Sequence, residues 1–186
     1  MKKIYSILFF LCLSLTNSHA ASVKGGNISV SSENNLTVHI RVQLYMDVNQ
    51  ALAAKGNDPI QVCFGDANTG FASLSGYERL PDNKTVKATY ETEYTYLESG
   101  IYQIGVTLSG REGVYQNLID AEASDQFLWT VVNTAFTNTT PNLVAPSFEA
   151  GVKQNFVVDL KQHISDQDSI SVRLQSLSKR TAGTCG

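Results

Sequence analysis

The sequence predicts an all-β protein built from β-sandwiches, on three observations. Apolar and polar residues alternate along several segments, turn-forming residues separate those segments, and no long segment has a helical period. Alternation with a period of two is typical of a strand that buries one face, because successive side chains point to opposite sides of a sheet. Several short strands separated by turns are typical of a sandwich.

The first twenty residues have the pattern of a secretory signal peptide. Lys2 and Lys3 precede an apolar run from Ile4 to Leu15, and Ser18-His19-Ala20 follows with small residues at the two positions that define a cleavage site. A transmembrane anchor is the alternative, but a span needs roughly 20 apolar residues and this run is shorter. We expect cleavage after Ala20 and export to the cell surface, the extracellular space or the periplasm, with no later membrane span.

The strands follow in order along the mature chain. Strict alternation runs from Leu36 to Met46, and further alternating segments contain Val86 to Tyr96, Tyr102 to Leu108 and Phe127 to Val131. Turn signals fall between the strands, at Gly25-Gly26, Ser32 to Asn35, Gly56 to Pro59, Pro81 to Asn83 and Gly110 to Gly113.

A polar, proline-closed stretch near residues 133 to 142 indicates a module boundary. It divides the mature chain into a first sandwich at 21–132 and a second module at 133–186. The second module has only about three or four candidate strands, whereas a sandwich usually needs about seven. We therefore expect the second module to be incomplete and the chain to be a fragment of a longer, multi-module protein.

Two motifs in the first module carry the most information. The segment from Ile60 to Ala67 places Ile60, Val62 and Phe64 on one strand face and ends in the turn pair Gly65-Asp66. About thirty residues later, a strand ending in tyrosines, a turn at Gly100 and a strand starting at Tyr102 predict a hairpin.

These motifs resemble the PKD (polycystic kidney disease) domain, an immunoglobulin-like β-sandwich. Val62 stands where that family has tryptophan, and Ala67 replaces its last glycine. The resemblance covers residues 60 to 108 and implies an immunoglobulin/PKD-like sandwich. A looser likeness extends to PKD-containing surface proteins of the Bacteroidetes. The matching residues, which the resemblance makes structural, are Phe64, Gly65, Asp66, Tyr96, Gly100 and Tyr102.

The resemblance also assigns roles within this motif. It implies that Phe64 and Tyr102 belong to the core, where an aromatic side chain buries 150 Å² or more. Asp66 is expected to brace its turn through the backbone. A ligand site at Asp66 is the alternative interpretation.

The second module contains a candidate calcium site. The segment from Val158 to Ile170 resembles the start of a cadherin-like module, and its Asp166 and Asp168 can offer carboxylate oxygens to calcium. Calcium takes 6–8 oxygen ligands, and two carboxylates supply few of them. The alternative is a solvated loop with aspartates in turn positions. No other cofactor is expected.

Charge and cysteine content exclude several classes of partner and fold. Cleavage after Ala20 removes two of the 14 basic residues and none of the 17 acidic ones, so the formal net charge changes from −3 to −5. A mildly acidic chain has no electrostatic footprint for nucleic acid. Only Cys63 and Cys185 remain in the mature chain, too few for a disulfide framework. A Cys63–Cys185 bridge requires Cα atoms within about 7 Å of each other.

No motif of a catalytic site is found in the sequence. Glu91 and Glu93 share a strand face, and spacing alone leaves open a glycosidase pair. We therefore expect a non-catalytic binding or spacer protein that engages an extracellular protein or polysaccharide. The alternatives are an accessory region of a larger exported protease or glycosidase, and a stalk stiffened by calcium at Asp166 and Asp168.

Overall fold

The structure is a computed structural model that describes residues 23–32, 34, 36–48, 59–108, 125–141 and 171. Over these residues the protein is a seven-stranded, antiparallel, all-β fold, which confirms the predicted fold class. The strands are β1 (Val23–Ser32), β2 (Thr37–Asp47), β3 (Ile60–Cys63), β4 (Thr69–Arg79), β5 (Thr85–Thr95), β6 (Ile101–Leu108) and β7 (Gln126–Asn133).

The strands follow the order β1-β2-β5-β4-β3-β6-β7. Strand β4 belongs to two sheets: its first residues, 69–72, pair with β3, and residues 73–79 pair with β5. A register shift between Leu74 and Gly76 marks an irregularity shortly after this change of partner. The first sheet is therefore β1-β2-β5-β4, and the second is β3-β6-β7 with the start of β4. These orders are the ABED and CFG sheets of a constant-type immunoglobulin sandwich.

The core lies between the two sheets. Alternate residues of β2, β5, β3 and β6 are buried and form one hydrophobic cluster. Val42 from the first sheet and Ile104 from the second are both fully buried. Each such side chain contributes roughly 1.5–3 kcal/mol relative to an exposed one, so the alternation seen in β2 and β6 accounts for much of the sandwich's stability.

The turn predicted at Gly25-Gly26 is wrong, because both glycines lie inside β1. At Gly26 a Cβ atom would lie 2.5 Å from the Gln43 carbonyl oxygen and 2.8 Å from a Leu128 methyl group. Gly25 lies beside a register shift in the pairing with β2. Glycine inside a strand often marks a bulge or a close approach of another chain segment. The irregularity applies to Gly25 and the close approach to Gly26.

The hairpin predicted around Gly100 is also wrong. Strand β5 already pairs with β2 on one edge and with β4 on the other, so β6 cannot join it. Strand β6 instead pairs with β3 and β7 in the second sheet. The turn at Gly100 therefore carries the chain from one sheet to the other.

The segment after β7 returns to the first sheet. The Ser32 amide donates to the Asn138 carbonyl at 3.1 Å, the Thr140 amide donates to the Val30 carbonyl at 2.8 Å, and Ser31 bridges Thr139. Residues 138–140 thus pair with the free edge of β1. The division at residue 133 remains a prediction, since residues 1–20 and nearly all of 142–186 lie outside the described residues.

No helix in the part of the chain that the structure describes is long and apolar enough to cross a membrane.

We predict that Ile104→Ala lowers the free energy of unfolding by about 2–5 kcal/mol, because it leaves a cavity between the sheets. Thr107→Ala, at an exposed position of the same strand, should stay within about 0.5 kcal/mol of wild type. Urea unfolding followed by fluorescence measures both. Equal losses in the two variants would contradict this placement of the core.

Candidate functional site

Four aromatic rings form a column at the end of the sandwich where β3 and β5 finish and β6 begins. The rings of Phe64 and Tyr94 stack with centroids 3.8 Å apart, and those of Tyr96 and Tyr102 stack at 3.9 Å. Tyr94 and Tyr96 meet edge to face at 4.9 Å and join the two pairs. The column therefore contains three aromatic residues that the sequence motifs singled out, Phe64, Tyr96 and Tyr102, together with Tyr94, and it connects both sheets.

Two tyrosine hydroxyls fix this column to the backbone. Tyr96, only 1% exposed, donates to the Phe64 carbonyl at 2.8 Å. Tyr102, packed partly buried against the core, donates to the Glu98 carbonyl at 2.8 Å. In immunoglobulin-like sandwiches, a tyrosine near the start of the sixth strand often donates a hydrogen bond from its hydroxyl to the backbone a few residues upstream. This arrangement is called the tyrosine corner. Gly100 lies where the chain passes from the first sheet to the second. Its amide donates to the Thr134 hydroxyl at 2.9 Å, which ties this turn to the residue that follows β7.

The loop after β3 requires glycine at position 65. Gly65 has φ +85°, and a Cβ atom there would lie 2.6 Å from the Gln103 carbonyl oxygen. Ala67 also has a positive φ, of 70°. Two left-handed residues around Asp66 turn its carboxylate back toward the end of β5, where Tyr94 lies.

Asp66 is bonded within its own loop and to the aromatic column. One carboxylate oxygen accepts from the Asn68 amide at 3.1 Å, and the other accepts from the Tyr94 hydroxyl at 2.6 Å and the Asn68 side chain at 3.1 Å. Burial opposes ionisation, but these hydrogen bonds outweigh it and lower the pKa of Asp66. Hydrogen bonding to this carboxylate raises the pKa of Tyr94. Both carboxylate oxygens are thus occupied by bracing contacts.

One of the two carboxylates considered for catalysis, Glu91, is held in an ion pair with Arg41. Glu91 accepts a hydrogen bond from Arg41 Nε at 2.7 Å. The hydrogen bond from Arg41 lowers the pKa of Glu91 despite partial desolvation, whereas a general acid needs a raised pKa. Within the described ranges, no group of three or more His, Cys, Asp or Glu residues is placed to hold a metal ion. Asp166 and Asp168 lie outside those ranges.

The outward face of the second sheet has a different character, and we call it the uncharged face. Strands β3, β6 and β7 and the start of β4 contain no Asp, Glu, Lys, Arg or His. All charged strand residues lie in β1, β2, β5 and the later part of β4. The uncharged face consists of the outward residues Gln61, Cys63, Thr69, Phe71, Ile101, Gln103, Gly105, Thr107, Phe127, Trp129 and Val131.

Large apolar side chains on this face are open to solvent. The exposed fractions are 63% for Phe71, 72% for Ile101, 53% for Trp129 and 45% for Val131. Trp129 lies opposite Gly105, and a Cβ atom on that glycine would be 2.7 Å from the Phe127 ring. Phe127 therefore lies over the glycine, and the small residue at 105 makes room for an aromatic side chain.

The sequence pattern misassigned the two sides of β7. The alternation of Phe127, Trp129 and Val131 predicts that these residues form the buried side, but the structure turns them outward. Leu128 and Val132 point inward, opposite Val106 and Tyr102. Since β7 has apolar residues on both sides, its own sequence does not identify the buried one. The absence of charge from the strand, which is visible in the sequence, is a signal for an unusual outward face.

Cys63 also lies on the uncharged face. It is disulfide-bonded, and it lies opposite Gly105 in the pairing of β3 with β6. The chain has two other cysteines, Cys12 and Cys185, and both are outside the described residues. The sequence leaves the pairing of Cys63 open.

Comparison of the chain with protein-family models, with curated proteins and with solved structures produced no match.

We predict that Tyr96→Phe costs about 1–3 kcal/mol of folding free energy, because it leaves the buried Phe64 carbonyl without its donor. Tyr102→Phe removes an exposed hydrogen bond and should cost about 1 kcal/mol or less. Chemical denaturation of both variants and of wild type gives the comparison. A larger loss in Tyr102→Phe would contradict the assigned importance of the Tyr96 bond.

We also predict a pH-dependent role for Asp66. Because folding lowers its pKa, the folded state binds fewer protons, and the stabilisation is complete above the unfolded pKa of about 3.9. It is lost as pH falls through the folded pKa. Asp66→Asn should therefore be less stable than wild type by about 1 kcal/mol at neutral pH, and the difference should disappear as pH falls below the folded pKa.

Thermal unfolding from neutral to acidic pH measures this difference. Glu93→Gln is the matched control for loss of one negative charge, since Glu93 is exposed near the same end of β5. A difference between wild type and Asp66→Asn that persists unchanged at the lowest pH would rule out the carboxylate as its source.

Proposed function

We propose that this protein is an exported, non-catalytic binding or spacer protein that engages an extracellular protein or polysaccharide. The observation that carries the proposal is the uncharged face. It places an exposed tryptophan and phenylalanine on paired strand segments that contain no charged residue. Exposed apolar patches on a folded domain commonly mark interaction sites, and tryptophan is among the residues that contribute most to binding.

The sheet supports this use of the face. Trp129 lies on β7, which pairs with β6 along its whole length, and Phe71 lies on β4 opposite Gln61. Side chains on paired strands are held more precisely than side chains on loops. Little conformational entropy is therefore lost when a partner covers these rings, which favours binding.

The finer assignment is a PKD-like module of a surface protein of Bacteroidetes type. Its support is the motif Phe64, Gly65, Asp66, Tyr96, Gly100 and Tyr102, which the sandwich gathers at one end. The tyrosine corner at Tyr102 is a feature of immunoglobulin-like sandwiches in general. Export is supported by the signal-peptide pattern of residues 1–20.

The proposal predicts that binding depends on the uncharged face. In a screen of the exported chain against extracellular proteins and polysaccharides, we expect at least one partner. Trp129→Ser should weaken its binding by about 2 kcal/mol, as for an interface residue that contributes strongly. Glu93→Gln, on the first sheet, is the matched control and should bind like wild type. A failure to bind any partner, or equal binding by Trp129→Ser, would refute the proposal.

A further inference from the structure

The lack of charge limits what can cover the uncharged face. A partner that places a carboxylate, sulfate or phosphate against it buries a charge with no opposite charge on β3, β6 or β7. Burial of an unpaired charge is strongly unfavourable. The matching partner is therefore neutral over the area of contact, which disfavours nucleic acids and acidic polysaccharides.

The polar side chains on this face are amides and hydroxyls. Gln61, Gln103, Thr69 and Thr107 are all exposed between the aromatic residues. An amide offers both donors and acceptors, and a hydroxyl does the same. Sugar hydroxyls also donate and accept, while the C–H faces of a sugar ring stack against aromatic rings. Exposed rings with neutral amides and hydroxyls between them thus match both surfaces of a neutral sugar.

The separation of the two most prominent rings indicates a polymer. Phe71 is on β4 and Trp129 is on β7, with β3 and β6 between them. Three strand spacings correspond to about 14 Å across the sheet. A single sugar cannot reach both rings, whereas a linear chain of sugars that crosses the strands can.

We propose that the uncharged face binds a neutral polysaccharide chain, which crosses β7, β6, β3 and β4 and stacks on Trp129 and Phe71. This inference rests on the proposed binding function and names the chemical class of its ligand. Trp129 contributes the largest stacking surface, and Gln61 and Gln103 bond to sugar hydroxyls along the path.

Affinity electrophoresis of the whole exported chain tests this inference. Native gels contain one neutral polysaccharide each (galactomannan, xyloglucan, soluble starch or mixed-linkage glucan) or one acidic polysaccharide (polygalacturonate or alginate). We expect retardation by at least one neutral polymer and by neither acidic one. Trp129→Ser and Phe71→Ser should each weaken that binding at least about tenfold, and Glu93→Gln should not change it.

Both test positions are exposed, and a thermal melt of each variant checks that it is folded. The inference is overturned by no retardation in any neutral polymer, by retardation in acidic polymers alone, or by unchanged retardation of both serine variants. It is also overturned if wild type dimerises in sedimentation experiments through Trp129, since a second copy then occupies the face. The inference is also overturned if binding appears only after the Cys63 disulfide is reduced. In that case a segment of the chain itself, linked through Cys63, covers the uncharged face.

The proposed binding function and the polysaccharide inference can be refuted independently of each other. A protein partner whose binding needs Trp129, found where no polysaccharide binds, overturns the polysaccharide inference and leaves the proposed function standing. Absence of any partner in both experiments overturns both.

Discussion

The rings of Phe64, Tyr94, Tyr96 and Tyr102 form a continuous stack between the two sheets of the sandwich. They join the end of β3, the end of β5 and the start of β6, and so connect the two sheets at one end. Aromatic pairs add about 0.5–1.5 kcal/mol each beyond their buried area. The Tyr96 hydroxyl adds a buried bond to the Phe64 carbonyl, which fixes where the chain leaves β3.

This arrangement has consequences for the opposite side of the second sheet. With β5 held between β2 and β4, β6 is free to pair with β3 and β7. That pairing places Gly105 between Cys63 and Trp129, where the missing side chain leaves room for Phe127. The two sheets then divide the surface: ion pairs such as Arg41 with Glu91 lie on the first, and aromatic and amide side chains lie on the second.

The candidate site was only partly predictable. The motif from Phe64 to Asp66 and the tyrosines around Gly100 stand out in the sequence, because turn residues beside aromatic residues are a local signal. The role of Tyr94 as partner of Asp66 depends on a contact between residues 28 positions apart. The outward placement of Trp129 needed the register between β6 and β7. The strand β4 has polar and glycine residues on both sides, so no alternation identified it.

From the sequence alone we could predict that the fold is all-β, where β2, β5 and β6 lie, and which residues of β2 face the core. The residues of β2 that face the core are predictable because one side of that strand is apolar and the other is polar. The fold was needed to show which strands pair, that the chain changes sheets at Gly100, and which side of β7 is exposed to solvent. The physical reason is that a period of two defines two sides of a strand without naming the buried one. When both sides are apolar, only the neighbouring strand and the opposing sheet make that choice.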